Sequence, residues 1–500
     1  MDAWQDIKNN LQGERHSFLV AAGSAEETQQ QLLSAILQRH QHTAFGKEQG
    51  FSAAHDPVAF IQSLQVSDYS GLKPWIDATA TTDPNALIAD LSHFELTGGS
   101  QGGAKLIPYG ASGMAAFQSA LFPWMEDLLQ HRPGISRGHA YWSISPAVPV
   151  SDACSAGIPV GLGNDALYFG EQLAASISRT LAVSMQAASY KAYSDWQLYT
   201  LTQLLLSEDL SFISVWSPSF LCMLIKGLQS QFHRLIQQLP GASGRRLKQA
   251  VGEGWVDTQK LWPQLDTISC WTQGAAQQFI PELQQLFPQA NIQGKGLLAT
   301  EAVVSLPLYQ ASDPVLAINS GYFEFRAQSG ELCSLTGVKQ GQTYEVIVTN
   351  DLGMYRYAMG DLVEVTGWYE QVPCLGFVGR KNSSDLVGEK LHEAFVSRIL
   401  MNEPGYSLLC AHSSSQPHYR LLADSQAVDV QRVEYKLREN PQYDYARRMG
   451  QLSQLRFEYV PGLMDCFQQW RQQRGQVLGD IKPMPLLSDD QFLKFIQSQK

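Results

Sequence analysis

The segment HFELTGGSQGGAKLIPYG (93–110) decides how the rest of the chain is read. Between Thr97 and Lys105 it places glycines at 98, 99, 102 and 103, the hydroxyls of Thr97 and Ser100, and a single cation at the end. An apolar run would pack and a charged run would be solvated. This run instead offers main-chain N–H groups that glycine allows to converge on one anion, as in a nest. Lys105 adds a compact point charge suited to phosphate. Composition alone supports a plain surface loop equally well. A Walker loop is excluded, because Lys105 follows Ala104 and precedes Leu106 where Gly-Lys-Ser/Thr is required.

Two later clusters carry complementary chemistry. GKGLLATEA (294–302) sets Thr300 and Glu301 after a short apolar run. A hydroxyl beside a carboxylate can meet a phosphate and its Mg²⁺, since hard cations favour oxygen ligands. YRYAMGDLVEV (355–365) sets Asp361 after Gly360 between strand-like segments, where a carboxylate can accept both hydroxyls of a ribose. Taken singly, the first is more often a solvated loop and the second a hairpin turn. GLGNDA (161–166) imitates a dinucleotide fingerprint without a leading strand. GISRG (134–138) imitates a hydrolase elbow without the strand-then-helix context it needs.

The bulk numbers bound these readings. Five hundred residues exceed one ordinary core, so two or more domains are expected. The net charge of -11, without long Lys/Arg blocks, argues against nucleic acid as a partner. The polar start lacks the apolar core of a signal peptide. The most apolar candidate, FISVWSPSFLCMLIKGL (212–228), contains Ser217, Pro218, Ser219 and Lys226 and reads as a buried element, not a membrane span. Seven scattered cysteines fit reduced thiols. The expectation is a soluble cytoplasmic protein, monomeric or weakly dimeric.

Periodicity predicts a mostly helical first ninety residues closing on an extended, turn-rich SDYSGLKPWID (67–77). A long helix is expected from 171, broken near Ser194, then a buried strand FISVW, then a helix with Ser217 as N-cap and Pro218 at its first position, running to about Leu239. GASGRRLKQAVGEG (241–254) reads as a loop with a short exposed helix. LDTISCW and ANIQGKGLL read as short strands around the helix AAQQFIPELQQLF. From Gly321 the chain becomes β-rich, and helix returns at about Glu389. The fold class expected is α/β: a large N-terminal domain of mixed sheets flanked by helices with a β-rich subdomain (1–378), a hinge (379–385), and a smaller mobile α+β C-terminal domain (386–500).

In this order and at these separations, the three clusters resemble the adenylate-forming enzyme superfamily. The surrounding text is more specific. TAFGKEQGF (43–51), DYSGLKPWI (68–76), ISVWSPSFL (213–221), ISCWTQGAAQQFIPELQQLFP (268–288), IQGKGLLATEAVVSLPL (292–308) and LVGEKLHEAFV (386–396) resemble the Gretchen Hagen 3 acyl acid amido synthetases, which have plant and bacterial members.

The resemblance implies an ATP- and Mg²⁺-dependent ligase. It adenylates a small carboxylic acid and passes the acyl group to an amine, commonly of an amino acid. Thr97, Gly98, Gly99, Ser100, Gly102 and Lys105 match the phosphate loop, with Gly99 standing where threonine is usual. Leu298, Ala299, Thr300 and Glu301 match the second ATP motif, Glu301 being expected near Mg²⁺. Leu297 and Leu298 replace more polar or aromatic residues beside adenine. Tyr357, Gly360 and Asp361 match the third motif, Asp361 on the ribose. Arg380 stands where the superfamily has a hinge arginine, and GDIKPMPLL (479–487) makes Lys482 the mobile catalytic lysine. Transfer to a thiol of coenzyme A or a carrier protein, or a relative that binds without catalysis, are the competing readings. A base for the amine is not identified; His93, His392 and His412 are the histidines considered, and Cys270 reads as core.

Overall fold

The computed structural model describes residues 3–53, 57–97, 105–142, 157–162, 165–190, 192–381, 383–414 and 416–499. Packing divides the chain into two compact units. One comprises Met1–Ala140, Pro149–Ser184 and Gly294–Phe377, and the other Tyr141–Val148, Met185–Gln293 and Val378–Lys500. The expected division at 379–385 concerns motion. The packing division changes hands beside it, at 377/378, and groups 185–293 with the C-terminal stretch.

The first unit is built on a seven-stranded sheet, in the order Leu332–Ser334, Tyr322–Ala327, Thr343–Thr349, Tyr357–Tyr369, Val372–Arg380, Val315–Leu316, Ser305–Leu306. Thr343–Thr349 is buried at every residue after the first, so both faces of this β-branched strand are covered. A separate antiparallel pair, Leu91–Thr97 with Lys105–Gly110, runs straight into the 21-residue helix Ala111–His131. The Asp90 carboxylate accepts from Ser112 N at 2.7 Å and so seats the helix start. Residues Ala120, Leu121, Trp124, Met125, Leu128 and Leu129 form the helix's buried stripe. Glu126, on the same helix, accepts from Gly13 N at 3.0 Å and Arg15 N at 2.6 Å, which fastens the N-terminal helices.

The second unit contains the parallel neighbours Leu210–Ser214 and Thr267–Cys270, with Ile213 opposite Ile268. Every residue of both is buried, the pattern of parallel strands covered on two faces. Its other sheet runs Arg456–Tyr459, His418–Ala423, Ser407–His412, Leu486–Leu487. That sheet shares a core with the helices Glu393–Leu400, Val430–Leu437 and Pro441–Arg448 through Leu400, Leu409, Leu421, Val433 and Tyr443.

Most expected elements are present, with physical reasons for the exceptions. SDYSGLKPWID is helical, not extended: Asp68 caps Tyr69–Thr81 by accepting from Ser70 N and Gly71 N, and Pro74 is accommodated inside the helix. The long helix from 171 breaks earlier than Ser194, ending at Thr180 and resuming at Tyr193 after a 3₁₀ turn, Met185–Ser189. Ser217 is the N-cap and Pro218 the first residue of Pro218–Ser230, but the Ser217 hydroxyl pairs with that of Ser219 at 2.7 Å and leaves the backbone uncapped. That helix ends at Ser230, and Phe232–Gln238 follows as a second one. Gly241–Ala250 is a full helix with a buried face, while the residues after it form the small hairpin Val251–Gly252 with Trp255–Val256.

The C-terminal helix starts at Glu393, not Glu389. Glu389 is fully buried; its carboxylate accepts from Leu386 N and Val387 N, both at 2.8 Å, and from the Tyr419 hydroxyl, so it folds a turn and not a helix. Among the described residues no helix is long and apolar enough to cross a membrane.

Candidate active site

The opening segment is a β-hairpin whose register sets Thr97 opposite Lys105, Glu95 opposite Ile107 and His93 opposite Tyr109. The glycine-rich stretch is thus the connection across its end. Gly98, Gly99, Ser100 and Gly102 lie outside the described residues, as does the side chain of Thr97. Lys105 opens the returning strand, and two aromatics from other elements hold it. Its Nζ donates to Tyr357 Oη at 3.3 Å and stands 5.1 Å from the centre of the Tyr69 ring.

Tyr69 is the first residue of the helix capped by Asp68. Its hydroxyl accepts from Leu106 N at 3.0 Å and donates to Leu106 O at 3.3 Å, which clamps the strand beside the lysine. Tyr357 is buried in the strand Tyr357–Tyr369. It is set by Arg356, which is left-handed at φ 46°, shares a buried ion pair with Glu324, and accepts from Ser67 N at 3.1 Å through its carbonyl.

Thr300 and Glu301 form the tip of a two-residue hairpin. Leu298 bridges Val303, Ala299 N donates to Ala302 O at 2.9 Å, and Ala302 N returns to Ala299 O at 3.2 Å. Two side chains from elsewhere take the tip's carbonyls. Tyr109 Oη donates to Thr300 O at 2.7 Å, and Asn350 Nδ2 donates to Glu301 O at 2.8 Å. Burial, reinforced by the charges of Glu95 and Glu301, pushes the Tyr109 hydroxyl far above its ordinary pKa. Burial also raises Tyr69, and Glu301 adds to that. The strand Lys105–Gly110 thus carries Lys105 against Tyr357 and Tyr109 against the carbonyl of Thr300.

Asp361 lies on the same strand as Tyr357, four residues on, and is buried. Between the pairs Ile347↔Ala358 and Glu345↔Leu362 the register shifts, so Met359, Gly360 and Asp361 face Val346 alone. Gly360 takes φ 74° to make this bulge. Here the Gly-Asp pair is a bulge inside a strand, not the turn between two strands that the sequence suggested.

Arg380 and Lys482 belong to the second unit. Arg380 ends the strand Val372–Arg380. Lys482 lies between buried Ile481 and Pro483, with its Nζ 4.9 Å from the Trp271 ring. The stretch is anchored two residues later, where Tyr406 Oη donates to Met484 O at 2.9 Å and accepts from Met484 N at 3.2 Å.

The histidines fall in different settings. His93 is buried with Nε2 3.3 Å from Glu95 Oε1, His392 is exposed, and His412 lies 3.6 Å from Asp490. Cys270 is buried in its strand, as expected of a core thiol. Tyr69, Tyr109 and Asn350 are site residues that motif reading missed. Tyr69 and Tyr109 lie within quoted segments, DYSGLKPWI and HFELTGGSQGGAKLIPYG, and Asn350 lies outside all of them.

Known proteins match both the sequence and the fold. Residues 14–244 match the GH3 family N-terminal domain and residues 314–380 the GH3 family central domain, together more than half of the chain. The probable indole-3-acetic acid-amido synthetase GH3.6 of Oryza sativa subsp. japonica is 32% identical over 171 residues, covering 31% of this chain and 35% of that protein. The indole-3-acetic acid-amido synthetase GH3.4 of Arabidopsis thaliana is 23% identical over 460 residues, covering 82% and 76%. The local match therefore spans about a third of its relative and the longer one about three quarters.

Among solved structures, AtGH3.15 acyl acid amido synthetase in complex with 2,4-DB superposes with a TM-score of 0.82 at 21% identity, covering 98% of this chain and 96% of that one. A 2-hydroxyisobutyryl-CoA ligase in the postadenylation state gives 0.56 at 15% identity, covering 93% and 91%. The fold is that of the adenylate-forming enzymes, and the chain belongs to the GH3 family.

Proposed function

We propose that this GH3-family chain is an ATP-dependent, AMP-forming acyl acid amido synthetase, which activates a small carboxylic acid and transfers it to an amine, commonly of an amino acid. The observation that carries this reading is that the strand Lys105–Gly110 reaches both other clusters, Lys105 Nζ donating to Tyr357 Oη and Tyr109 Oη to Thr300 O. The relatives named as indole-3-acetic acid-amido synthetases support the same reaction class.

A carboxylate is a poor electrophile because its oxygen leaves badly. Attack of that oxygen on the α-phosphorus of ATP forms a carboxylic–phosphoric anhydride and releases pyrophosphate. The amine nitrogen then attacks the acyl carbon, AMP departs and a proton is lost. All the oxygens of the first step are anionic, so the barrier is largely electrostatic and is met by charges fixed in advance. Lys105, held by Tyr69 and Tyr357, supplies one such charge. Gly98, Gly99, Ser100 and Gly102 supply N–H and O–H donors, and Asp361 holds the ribose. Leu298 and Ala299 lie against the base.

The residues present fit a hard divalent cation. Among the described residues no cluster of three or more His, Cys, Asp or Glu side chains forms a complete cage, and the Thr300–Glu301 tip offers a hydroxyl and a carboxylate, the sparse oxygen set of Mg²⁺ sites that also use phosphate oxygens. Bound there with ATP, Mg²⁺ would neutralise charge on the phosphates. Lys482 is the mobile lysine that assists adenylation, brought to the phosphates by motion about 379–385, and Arg380 is the hinge arginine.

The test is ATP–pyrophosphate exchange across a panel of carboxylic acids, followed by mass spectrometry of products formed with pooled amines. An acid-dependent exchange and an amide product are expected. AMP release that requires a thiol, with no amide, would replace this reading by thioester formation.

A further inference from the structure

We propose that Tyr109 and Asn350 are positioning residues, which set the Thr300–Glu301 tip in the geometry that receives Mg²⁺-bound ATP. The inference rests on the reading of Thr300 and Glu301 as the Mg²⁺–phosphate contact. Two-residue hairpins ordinarily use turns with positive φ at one or both central positions, because only those match the twist of the flanking strands. Among the described non-glycine residues, positive φ occurs at Arg356, Glu370 and Lys390 only, so neither Thr300 nor Glu301 has it. The tip is therefore a turn whose twist works against its own strands, closed from behind by the Ala299–Ala302 pair, the Leu298–Val303 bridge and the bonds at Leu297. These bonds hold the legs and do not fix the orientation of the two tip peptides.

Two hydrogen bonds from outside do. Tyr109 Oη reaches Thr300 O at 2.7 Å and Asn350 Nδ2 reaches Glu301 O at 2.8 Å. Both donors are themselves held. Tyr109 is 1% exposed and stands opposite His93 in the hairpin register. Asn350 is 2% exposed; its Oδ1 accepts from Leu352 N at 3.0 Å and its own N donates to Met354 O at 3.0 Å. Tyr109 belongs to the glycine-rich hairpin, and Asn350 opens the connection from the strand Thr343–Thr349 to the Tyr357 strand. Tyr109 is four residues past Lys105, and Asn350 is seven residues before Tyr357. The two bonds thus tie the glycine-rich hairpin and the connection leading into the Tyr357 strand to one tip, so that the three clusters hold a common spacing.

The experiment uses the full chain and four proteins besides wild type: Tyr109→Phe, Asn350→Ala, the double variant, and Glu301→Ala. ATP affinity is measured by calorimetry with MgCl₂ and again with EDTA, alongside a melting curve. Tyr109→Phe and Asn350→Ala should each weaken ATP binding in Mg²⁺ about fivefold, the worth of one net hydrogen bond, and leave binding in EDTA unchanged. Glu301→Ala should abolish the difference between the two conditions.

A merely structural role would lower the melting temperature and weaken both conditions equally, and that result overturns the proposal. It falls likewise, with the Mg²⁺ reading intact, if Glu301→Ala removes the Mg²⁺ effect while Tyr109→Phe and Asn350→Ala keep it. If Glu301→Ala retains the Mg²⁺ effect, the underlying reading fails and takes the proposal with it. Tyr109→Phe removes one oxygen from a buried ring and decides the matter should Asn350→Ala not fold.

Discussion

Gly296 is the residue whose replacement most directly tests how the Thr300–Glu301 tip is supported. A Cβ at this position would lie 1.9 Å from Ser305 O, 2.5 Å from Ser305 C and 3.0 Å from Leu306 N. All three are main-chain atoms, so no rotamer change relieves the overlap. Carbon and oxygen approach to about 3.3 Å even in close C–H···O contacts, so the two legs of the hairpin must part by more than about 1 Å.

Three hydrogen bonds sit at that point: Val304 N to Leu297 O at 2.8 Å, Ser305 N to Leu297 O at 3.2 Å, and Leu297 N to Ser305 Oγ at 2.9 Å. A displacement of that size carries each beyond the usual limit of about 3.2 Å. At about 1 kcal/mol net per bond the loss is roughly 2–3 kcal/mol, which agrees with the ~1–3 kcal/mol typical of overpacking.

Gly296→Ala should therefore melt lower than wild type. It should also lose about tenfold or more in affinity for ATP with Mg²⁺, since each 1.4 kcal/mol is a factor of ten. The control is Gly244→Ala, in the helix Gly241–Ala250, where the nearest atoms to a Cβ are Leu239 O at 3.7 Å and Leu239 Cβ at 4.0 Å. That change should stabilise by about 0.5–1 kcal/mol through helix propensity. Wild-type melting and wild-type ATP affinity in Gly296→Ala would refute the argument that the tip hangs from this close approach.

Four further outcomes are expected. Gly360→Ala meets no atom within 4 Å but inherits φ 74°, so it should cost about 1–2 kcal/mol of backbone strain and weaken ATP binding by shifting Asp361; a melting curve and a binding titration check both. Asp361→Ala should weaken ATP binding, and an unchanged nucleotide affinity would remove its ribose role. Lys482→Ala should slow adenylation far more than amide formation from a preformed adenylate, as read by the two half-reactions separately; equal losses would count against the mobile-lysine role.

Asp351→Asn addresses pH. Burial alone would raise this carboxyl, but hydrogen bonds from His40 and Arg39 and their charges outweigh it and hold its pKa below the ordinary value. A carboxylate depressed in the folded state stabilises fully above its unfolded pKa of about 3.9 and loses that contribution as pH falls through the folded value. The melting-temperature gap between wild type and Asp351→Asn should accordingly be constant near neutrality and close only in acid below about pH 4. A gap that closes well above pH 4 would refute the assignment of the effect to the Asp351 carboxylate.

What was legible in the chain follows from where each kind of information is written. Of the strands covered on both faces, Thr343–Thr349 announces itself by β-branched residues and Leu210–Ser214 by the largely apolar FISVW that it overlaps. Lys105, Thr300 and Glu301 were singled out because their side-chain chemistry stands out at those positions, and Tyr357 through the family resemblance. The helix Tyr69–Thr81 was misread because a serine, a glycine and a proline in its first two turns outvote periodicity, while the deciding cap, Asp68, works through two backbone N–H groups.

Tyr109 and Asn350 were invisible for a deeper reason. Each donates to a main-chain carbonyl, 191 and 49 residues away, and every residue type carries that acceptor. The recipient positions are therefore under no compositional constraint that could betray the contact. Only the fold brings donor and carbonyl together. The same logic locates Tyr69: both of its hydroxyl bonds go to the backbone of Leu106, so nothing about leucine at that position hints at the clamp. In this site the groups proposed to touch a nucleotide are written as residue types, and the groups that hold them at their distances are written in backbone geometry.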